Sequence, residues 1–323
     1  MRDTLRTLRR RLQAIVGSQG QPLYDEREAR AIADLLLDEV CGITLTERLL
    51  HPGRTLTDDE RRSLQSVVAR MEQGVPVQQA LGYAWFCGAR FRVSPDVLIP
   101  RPETAELVEW VIGDIRSASA APAPVGASPS RSLSVCDVGT GSGCIAVTLA
   151  RAFPQARVLA LDVSGAALNI ARQNASLQHV DNLQFAQVDV LAYVDNLQHE
   201  APGTPVSDVF PQGYQHFDIL VSNPPYVCRR EASEMSDIVL RHEPALALFV
   251  PDSDPLRFYR AIARMGLRHL HDGGCLYFEI NAAFGADTCR LLQSLGYHDV
   301  ELRTDVTGRD RMVKAKLSTS EKT

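Results

Sequence analysis

The stretch DVGTGSGCIAVTLA, residues 137–150, joins a short β-rich run to a segment with helical periodicity. Its glycines stand at positions 139, 141 and 143, which gives the pattern G-x-G-x-G. A dinucleotide fingerprint needs its last glycine three places after the second, and that position is occupied by Cys144. Glycines at this spacing let the backbone turn sharply and approach a ligand closely. The stretch therefore predicts a ligand-binding turn between a strand and a helix; a tight turn without a ligand is the alternative.

The region around this turn, from Leu133 to the C-terminus, alternates short apolar runs with helical patterns. Seven runs are typical of strands: LSVCDV, RVLALD, LQFAQV, FDILVS, CLYFEI, DVELRT and RMVKAKL. Most are far enough apart for a crossover helix, which indicates a largely parallel sheet with helices on both faces. Only DVTGRD separates the last two runs, so the final strand is expected to run antiparallel to its neighbour. The pattern predicts an α/β fold of the seven-stranded, Rossmann-like methyltransferase type rather than the dinucleotide-binding type.

The rest of the chain has a different character. REARAIADLLLDEVCG and TDDERRSLQSVVARMEQG repeat apolar residues at helical spacing, and the second begins with a capping box of Thr57 and Glu60. YAWFCGARFRV reads as a β-hairpin, whereas SASAAPAPVGASPS is small and Pro-rich. The expected segments are a small helical domain at 1–82, a hairpin and connecting helix at 83–116, a flexible linker at 117–132 and the α/β domain at 133–323.

The composition excludes several classes of protein. A net charge of -5 with a pI near 5.9 argues against a chain whose affinity comes from neutralising phosphates, so no stable nucleic-acid partner is expected. No continuous apolar run follows the basic N-terminus, so we expect no membrane span and a cytoplasmic location. Seven scattered cysteines without a C-x-x-C pair indicate reduced thiols and no metal site. His269 and His271 are expected to be solvated at a helix end.

Acidic residues follow the next two predicted strands. Asp162 ends RVLALD, where a carboxylate can accept both hydroxyls of a ribose. Asp189 follows LQFAQV and precedes Val190, a pair that could hold an adenine amino group and pack against the ring edge. Together with Asp137 these carboxylates favour a cofactor without phosphates and with a positive centre, and S-adenosylmethionine fits that description better than NAD. Each aspartate taken alone could equally be a helix N-cap.

The fourth predicted strand ends in VSNPPYV, residues 221–227. Each proline fixes its own φ and disfavours helix at the residue before it, so the turn is stiff. Methylating an amide or aromatic amine requires the NH2 group to be held by acceptors and aimed at the methyl carbon. Asn223 through its side-chain oxygen and Pro224 through its carbonyl could accept those bonds, while Pro225 and Tyr226 pack on the flat face of the substrate. A merely rigid turn is the alternative.

These motifs, together with FRVSPDVLIPRPETAELVEW at residues 91–110, closely resemble the release-factor glutamine methyltransferases, the HemK/PrmC family. The resemblance covers nearly the whole chain, because the helical segment, the hairpin, LIPRPET, the seven-stranded domain and the closing GRDRMV follow the family order. It implies an enzyme that uses S-adenosylmethionine to methylate the glutamine side-chain amide in the Gly-Gly-Gln motif of peptide-chain release factors. Arg101 and Glu103 would organise the pocket, with a structural ion pair as the alternative for Arg101.

The resemblance also implies roles residue by residue. The glycine-rich turn would surround the methionine part of the cofactor: Gly139, Thr140, Gly141, Ser142 and Gly143. Asp162 would bind the ribose, and Asp189 and Val190 would border the adenine. The NPPY residues would clasp the substrate glutamine, with Asn223 also facing the cofactor: Asn223, Pro224, Pro225 and Tyr226. As a hypothesis, the helical domain recognises the release factor outside its glutamine loop.

Other substrates and a non-enzymatic role are the competing interpretations. A glutamine methyltransferase for a ribosomal protein would share the NPPY element, although the RPET pattern argues against it. An adenine-specific DNA methyltransferase would share both main motifs, but it should show a basic face and a target-recognition region. A binding module that had lost catalysis would lack Asn223, Asp162 or the glycines, and all of them are present.

Overall fold

The structure is a computed structural model that describes residues 2–17, 20–120, 132–199 and 210–318. The chain divides into two compact units, Met1–Ala84 with Ser233–Glu243, and Trp85–Ala232 with Pro244–Thr323. The first unit is helical. Its helices are α1 Arg2–Gln13, α2 Glu26–Cys41, α3 Leu45–Leu50, α4 Asp58–Glu72, α5 Val77–Leu81 and, from the later segment, α10 Asp237–His242.

Local sequence explains where the long helices of this unit begin and end. At the start of α4, the Thr57 hydroxyl accepts a hydrogen bond from the Glu60 backbone N–H, and the Glu60 side chain accepts one from the Thr57 N–H. This is the predicted capping box. Helix α2 has a similar box at Asp25 and ends at Gly42, whose φ of 62° is a left-handed conformation that favours glycine.

Residues 233–243 belong to the helical unit although they are distant from it in the sequence. The Gln79 side chain donates a hydrogen bond to the His242 carbonyl at 2.8 Å, and Ile238 packs against the apolar core of the unit. The α/β unit therefore differs from the predicted segment 133–323, because it lacks this excursion and includes the chain from Trp85. Helix α10 has only six residues, so its hydrophobic spacing could not predict that it packs on the helical unit.

The predicted hairpin is present as β1 Tyr83–Phe86 paired with β2 Ala89–Arg92. Helix α6 follows and extends over Pro102–Ala120, so the first four residues of the predicted linker 117–132 are helical. Ser117 donates a hydrogen bond to the Gly113 carbonyl one turn earlier, at 2.8 Å. The last residues of α6 read SASA, and alanine favours helix more than any other residue. The remainder of the predicted linker, residues 121–131, lies outside the described residues.

The α/β unit contains the seven-stranded sheet predicted from the sequence. The strands are β3 Ser134–Val138, β4 Arg157–Asp162, β5 Leu183–Gln187, β6 Phe217–Ser222, β9 Leu270–Glu279, β10 Tyr297–Thr304 and β11 Asp310–Leu317, in the order β10-β11-β9-β6-β3-β4-β5. Neighbours from β9 to β5 pair in parallel, and β11 pairs antiparallel with both β9 and β10. The prediction of one reversed strand at the end of the chain is confirmed.

Helices cover both faces of this sheet: α7 Cys144–Ala152, α8 Gly165–Leu177, α9 Val190–His199, α12 Arg257–His269 and α13 Gly285–Ser294, with α6. A short α11 Ala245–Leu248 leads into β8 Phe249–Val250, which pairs with β7 Val227–Cys228. Two apolar cores form, and β6 contributes to both because successive side chains of a strand alternate: Leu220 lies in one core, and Ile219 and Val221 lie in the other.

His269 is buried, so the expectation of a solvated histidine is wrong for this residue. Its Nδ1 donates to the Gln215 carbonyl at 2.7 Å, and its Nε2 lies 2.6 Å from the Tyr193 hydroxyl. Burial lowers the pKa of His269 to about 4, so the ring is neutral at pH 7. The helical spacing could not reveal this, because the partners come from α9 and from the segment before β6.

Three further expectations concern the whole chain. All seven cysteines are free thiols. Among the described residues, no three His, Cys, Asp or Glu side chains are grouped in a way that could hold a metal ion. No helix in the described ranges combines the length and apolar character needed to cross a membrane.

Candidate active site

A pocket lies at the carboxyl edge of the five parallel strands β3, β4, β5, β6 and β9, where ligands of open α/β sheets bind. Its empty volume is about 1090 Å³, which includes open solvent at its mouth. Ten of the predicted site residues line it: Gly139, Thr140, Gly141, Ser142, Asp162, Asp189, Val190, Asn223, Pro224 and Pro225. Gly143 and Tyr226 do not line the pocket.

The glycine-rich turn forms one wall. Gly139, Gly141 and Gly143 have φ values of 75°, 55° and 80°, a region that side chains with a Cβ rarely adopt. A Cβ added at Gly139 or Gly141 would meet no other protein atom within 4 Å, so the backbone there borders open space. A Cβ at Gly143 would instead lie 3.0 Å from the Ala171 Cβ on α8. The first two glycines expose the backbone to a ligand, and the third lets the turn pack on a helix.

We expect Gly143→Ala to lower the free energy of unfolding by about 1–3 kcal/mol more than Gly139→Ala does, since only the former adds overpacking against Ala171 to the strain of a positive φ. Each variant carries a backbone penalty of about 1–2 kcal/mol. Urea denaturation of the two variants beside the unchanged protein measures the difference. Equal losses would show that the contact with Ala171 does not limit position 143.

Asp162 is the last residue of β4, and it is hydrogen-bonded to the glycine-rich turn that follows β3. Its Oδ2 accepts a hydrogen bond from the Gly141 N–H at 2.8 Å, and its Oδ1 accepts one from the Ser164 N–H at 2.9 Å. Burial raises the pKa of Asp162, while these backbone hydrogen bonds act to lower it. The carboxylate is therefore held in a fixed orientation on the pocket wall, and each of its oxygens retains lone pairs for a ligand.

Asp189 is exposed and caps α9, since its Oδ1 accepts hydrogen bonds from the Leu191 and Ala192 N–H groups at 2.9 and 3.2 Å. The alternative that this aspartate is a helix cap is thus realised, and the residue also lines the pocket. Val190 is buried beside it and presents an apolar surface.

Asp137 is fully buried beneath the turn. Its Oδ2 accepts hydrogen bonds from the Thr140 hydroxyl at 2.6 Å and the Ala146 N–H at 3.1 Å, whereas its Oδ1 has no hydrogen-bond partner among the described residues. Burial raises the pKa of this carboxyl to about 7. The negative charge of Asp162 also raises this pKa, whereas the two hydrogen bonds act to lower it. The residue ties the turn to the start of α7.

The NPPY segment forms the facing wall at the end of β6. The Asn223 Nδ2 donates to the Thr104 hydroxyl at 3.0 Å, and Thr104 in turn donates to the Glu279 Oε2 at 2.6 Å. The Tyr226 hydroxyl donates to the other oxygen, Oε1, of Glu279 at 3.0 Å. In the described part of the chain, neither the Asn223 Oδ1 nor the Pro224 carbonyl accepts a hydrogen bond.

Sequence reasoning missed several residues of this site. The RPET pattern assigns no role to Thr104, and the run CLYFEI predicts only a strand at Glu279. An acidic residue within the run CLYFEI was the available signal for Glu279. Other pocket residues lie in apolar stretches that carried no signal: Val163, Pro244, Leu246, Ala247 and Phe258. Arg101 lines the pocket, and Glu103 does not.

The pocket fits S-adenosylmethionine by the chemistry of its walls. Backbone without side chains at Gly139 and Gly141 allows close approach, the carboxylates of Asp162 and Asp189 suit hydroxyl and amino donors, and Val190 offers an apolar surface for a flat ring. The charged residues that line the pocket are three aspartates, Asp96, Asp162 and Asp189, and one arginine, Arg101. These features suit a cationic adenosine derivative.

Comparison with known proteins agrees with this assignment. Residues 129–264 match the family model of a methyltransferase domain, and residues 22–82 match that of the PrmC N-terminal domain. The solved hMettl16 catalytic domain, in complex with the MAT2A 3'UTR hairpin 6, has a TM-score of 0.50 and 16% identity, covering 84% of this chain and 86% of that one. At this identity the likeness concerns the fold alone. The protein is thus a methyltransferase of the S-adenosylmethionine-dependent α/β class.

Closer relatives define the family. A release factor glutamine methyltransferase from Bacteroides thetaiotaomicron is 40% identical over 94% of this chain and 99% of its own length. One from Flavobacterium psychrophilum is 37% identical over 90% of this chain and 93% of its own. The chain belongs to the release factor glutamine methyltransferase family, and the resemblance drawn from the sequence is confirmed.

Proposed function

We propose that this protein transfers a methyl group from S-adenosylmethionine to the side-chain amide nitrogen of the glutamine in the Gly-Gly-Gln motif of peptide-chain release factors. One observation carries the proposal. The Asn223 Oδ1 and the Pro224 carbonyl are two acceptors without a hydrogen bond from the described residues, and they stand on a stiff turn facing the glycine-rich wall. A primary amide has two N–H donors, which match these two acceptors.

The chemistry explains why such a pair is needed. The nitrogen lone pair of an amide is delocalised into its carbonyl, so the group is a poor nucleophile. When bound, S-adenosylmethionine supplies an electrophilic methyl group on a positively charged sulfur. Asn223 and Pro224 hold the substrate NH2 and aim the nitrogen toward the cofactor side of the pocket, so alignment supplies much of the rate. As the nitrogen takes the methyl carbon, the S–CH3 bond would break with its electron pair going to sulfur, which would leave as a neutral thioether, and the nitrogen would then lose one proton to solvent.

A panel of acceptors tests the proposal. The protein is incubated with labelled S-adenosylmethionine and, in parallel, with a release factor, the same release factor with its motif glutamine changed to glutamate, a ribosomal protein mixture and duplex DNA. We expect label on the intact release factor alone. Label on ribosomal protein or DNA, with none on the release factor, would assign the pocket to another amide or to adenine. We also propose a cytoplasmic location for this protein, where release factors act. The protein is proposed to have no stable nucleic-acid partner.

The helical unit is proposed to recognise the release factor outside its glutamine loop. It presents an apolar surface on α3, where Leu45, Leu49 and Leu50 are exposed by 64%, 74% and 69%. Exposed apolar side chains grouped on one short helix are typical of contact surfaces. Among the described residues, those that line the pocket all belong to the other unit. Recognition of the release factor and methyl transfer would therefore be separable.

We expect Leu49→Glu to raise the KM for a whole release factor by about tenfold, because a buried interface anchor contributes on the order of 1–2 kcal/mol. The kcat and the affinity for S-adenosylmethionine should stay within about twofold. Leu177→Glu is the matched control, since Leu177 is a 53% exposed leucine at the end of a helix of the other unit. An equal KM change in both variants would contradict a specific role for α3.

A further inference from the structure

Glu279 is a buried carboxylate that the chemistry above does not use. It is 1% exposed and ends β9, next to the end of β6 that presents Asn223. Both of its oxygens accept hydrogen bonds, from the Thr104 and Tyr226 hydroxyls. Burying a carboxylate costs free energy unless its partners compensate, so an acidic residue at this position requires a reason beyond packing.

The donors and acceptors of this network fix one another. In the structure the Thr104 hydroxyl donates to the Glu279 Oε2 at 2.6 Å, so this carboxyl oxygen is the acceptor. Thr104 has a single hydrogen, and its oxygen can therefore only accept from Asn223. The atom of the Asn223 amide that faces Thr104 must then be its NH2 group, which leaves the Oδ1 on the opposite side.

We propose that Glu279 and Thr104 are positioning residues that set the orientation of the Asn223 amide, so that its oxygen faces the substrate. The inference rests on the proposed function, in which that oxygen accepts a hydrogen bond from the NH2 group to be methylated. An amide turned over would present two N–H donors to a substrate that also offers N–H donors, and binding of the substrate nitrogen would fail.

Three neighbouring groups favour the accepting, ionised form of Glu279. Burial raises the pKa of this carboxyl, whereas the hydrogen bonds from Thr104 and Tyr226 and the positive charge of Arg311 act to lower it. Burial and the Glu279 charge also raise the pKa of Tyr226, so this phenol stays protonated and able to donate. Thr104 is 2% exposed and therefore has few alternative partners.

Kinetics of two variants at Thr104 provide the first test. Thr104→Val keeps the shape of the side chain and removes the hydroxyl, and we expect a kcat about 10- to 100-fold lower, with the dissociation constant of S-adenosylmethionine within about threefold. Thr104→Ser keeps a hydroxyl and should restore most of the lost rate. Wild-type kcat in Thr104→Val, or an equal loss in Thr104→Ser, would overturn the proposal.

A second readout does not depend on the substrate. In protein labelled with 15N-asparagine, the Asn223 side-chain NH2 signals are assigned by their loss in Asn223→Ala. We expect slow hydrogen exchange of this NH2 in the wild type and Thr104→Ser, and fast exchange in Thr104→Val. Fast exchange in the wild type would overturn the inference even if Thr104→Val does not fold. Lack of methylation of any release factor by the wild type would overturn the proposed function alone.

Discussion

Asn223→Ala is expected to lower methyl transfer to a release factor by at least about a hundredfold. The substitution removes the side-chain acceptor that aims the substrate nitrogen, and loss of one preorganised group of this kind typically lowers kcat by about 10² to 10³. The hydrogen bonds that hold Asp162 and the glycine-rich turn do not involve Asn223, so the dissociation constant of S-adenosylmethionine should change less than about fivefold. Single-turnover rates and calorimetric titration measure the two quantities separately.

Asn169→Ala is the matched control for this experiment. Asn169 is an exposed asparagine on α8 in the same unit, and within the described ranges its side chain accepts a hydrogen bond only from the nearby Arg172. Its removal should leave both constants unchanged. An Asn223→Ala protein that retained more than about a tenth of the wild-type rate would show that the Pro224 carbonyl alone suffices, and that the amide does not have the role given to it here.

Asp162→Ala is expected to weaken binding of S-adenosylmethionine by at least about a hundredfold. Two hydrogen bonds from ligand hydroxyls to a carboxylate are each worth roughly 1.5–3 kcal/mol, and the turn would also lose the anchor at the Gly141 N–H. The effect should fall on affinity, with kcat at saturating cofactor reduced much less. Calorimetric titration gives the affinity, and initial rates at high cofactor concentration give kcat.

Asp162→Asn separates the two contributions. The amide keeps the size of the side chain and one acceptor, so we expect an affinity between those of the wild type and Asp162→Ala. Unchanged affinity in Asp162→Ala would mean that Asp162 only holds the Gly141 and Ser164 N–H groups in place, and that another group binds the ribose.

Much of this architecture could be predicted because it depends on local sequence. The strands follow from short apolar runs, the start of α4 from Thr57 and Glu60, and the direction of the last strand from the length of DVTGRD. The carboxyl edge of a parallel sheet then brings Asp162 and Asn223 to the same pocket, although they are 61 positions apart in the chain.

The rest depends on contacts between residues far apart in the sequence. The hydrogen bond from Thr104 to Glu279 spans 175 positions, and that from Gln79 to His242 spans 163. Neither pair is marked by a local sequence pattern, because the two residues of each pair come together only in the folded protein. The burial of His269 has the same origin. Sequence patterns located the elements and the exposed edge of the sheet, whereas the network that orients Asn223 required the three-dimensional structure.

The central claim is that the pocket methylates a glutamine side-chain nitrogen, and tandem mass spectrometry tests it most directly. A recombinant release factor is incubated with the protein and S-adenosylmethionine, digested, and the fragment ions around its Gly-Gly-Gln motif are measured, with Asn223→Ala as the control. We predict one added methyl group on the side chain of that glutamine with the wild-type protein and none with Asn223→Ala. A methyl group on another residue, or an unmodified motif despite measurable cofactor binding, would contradict the account.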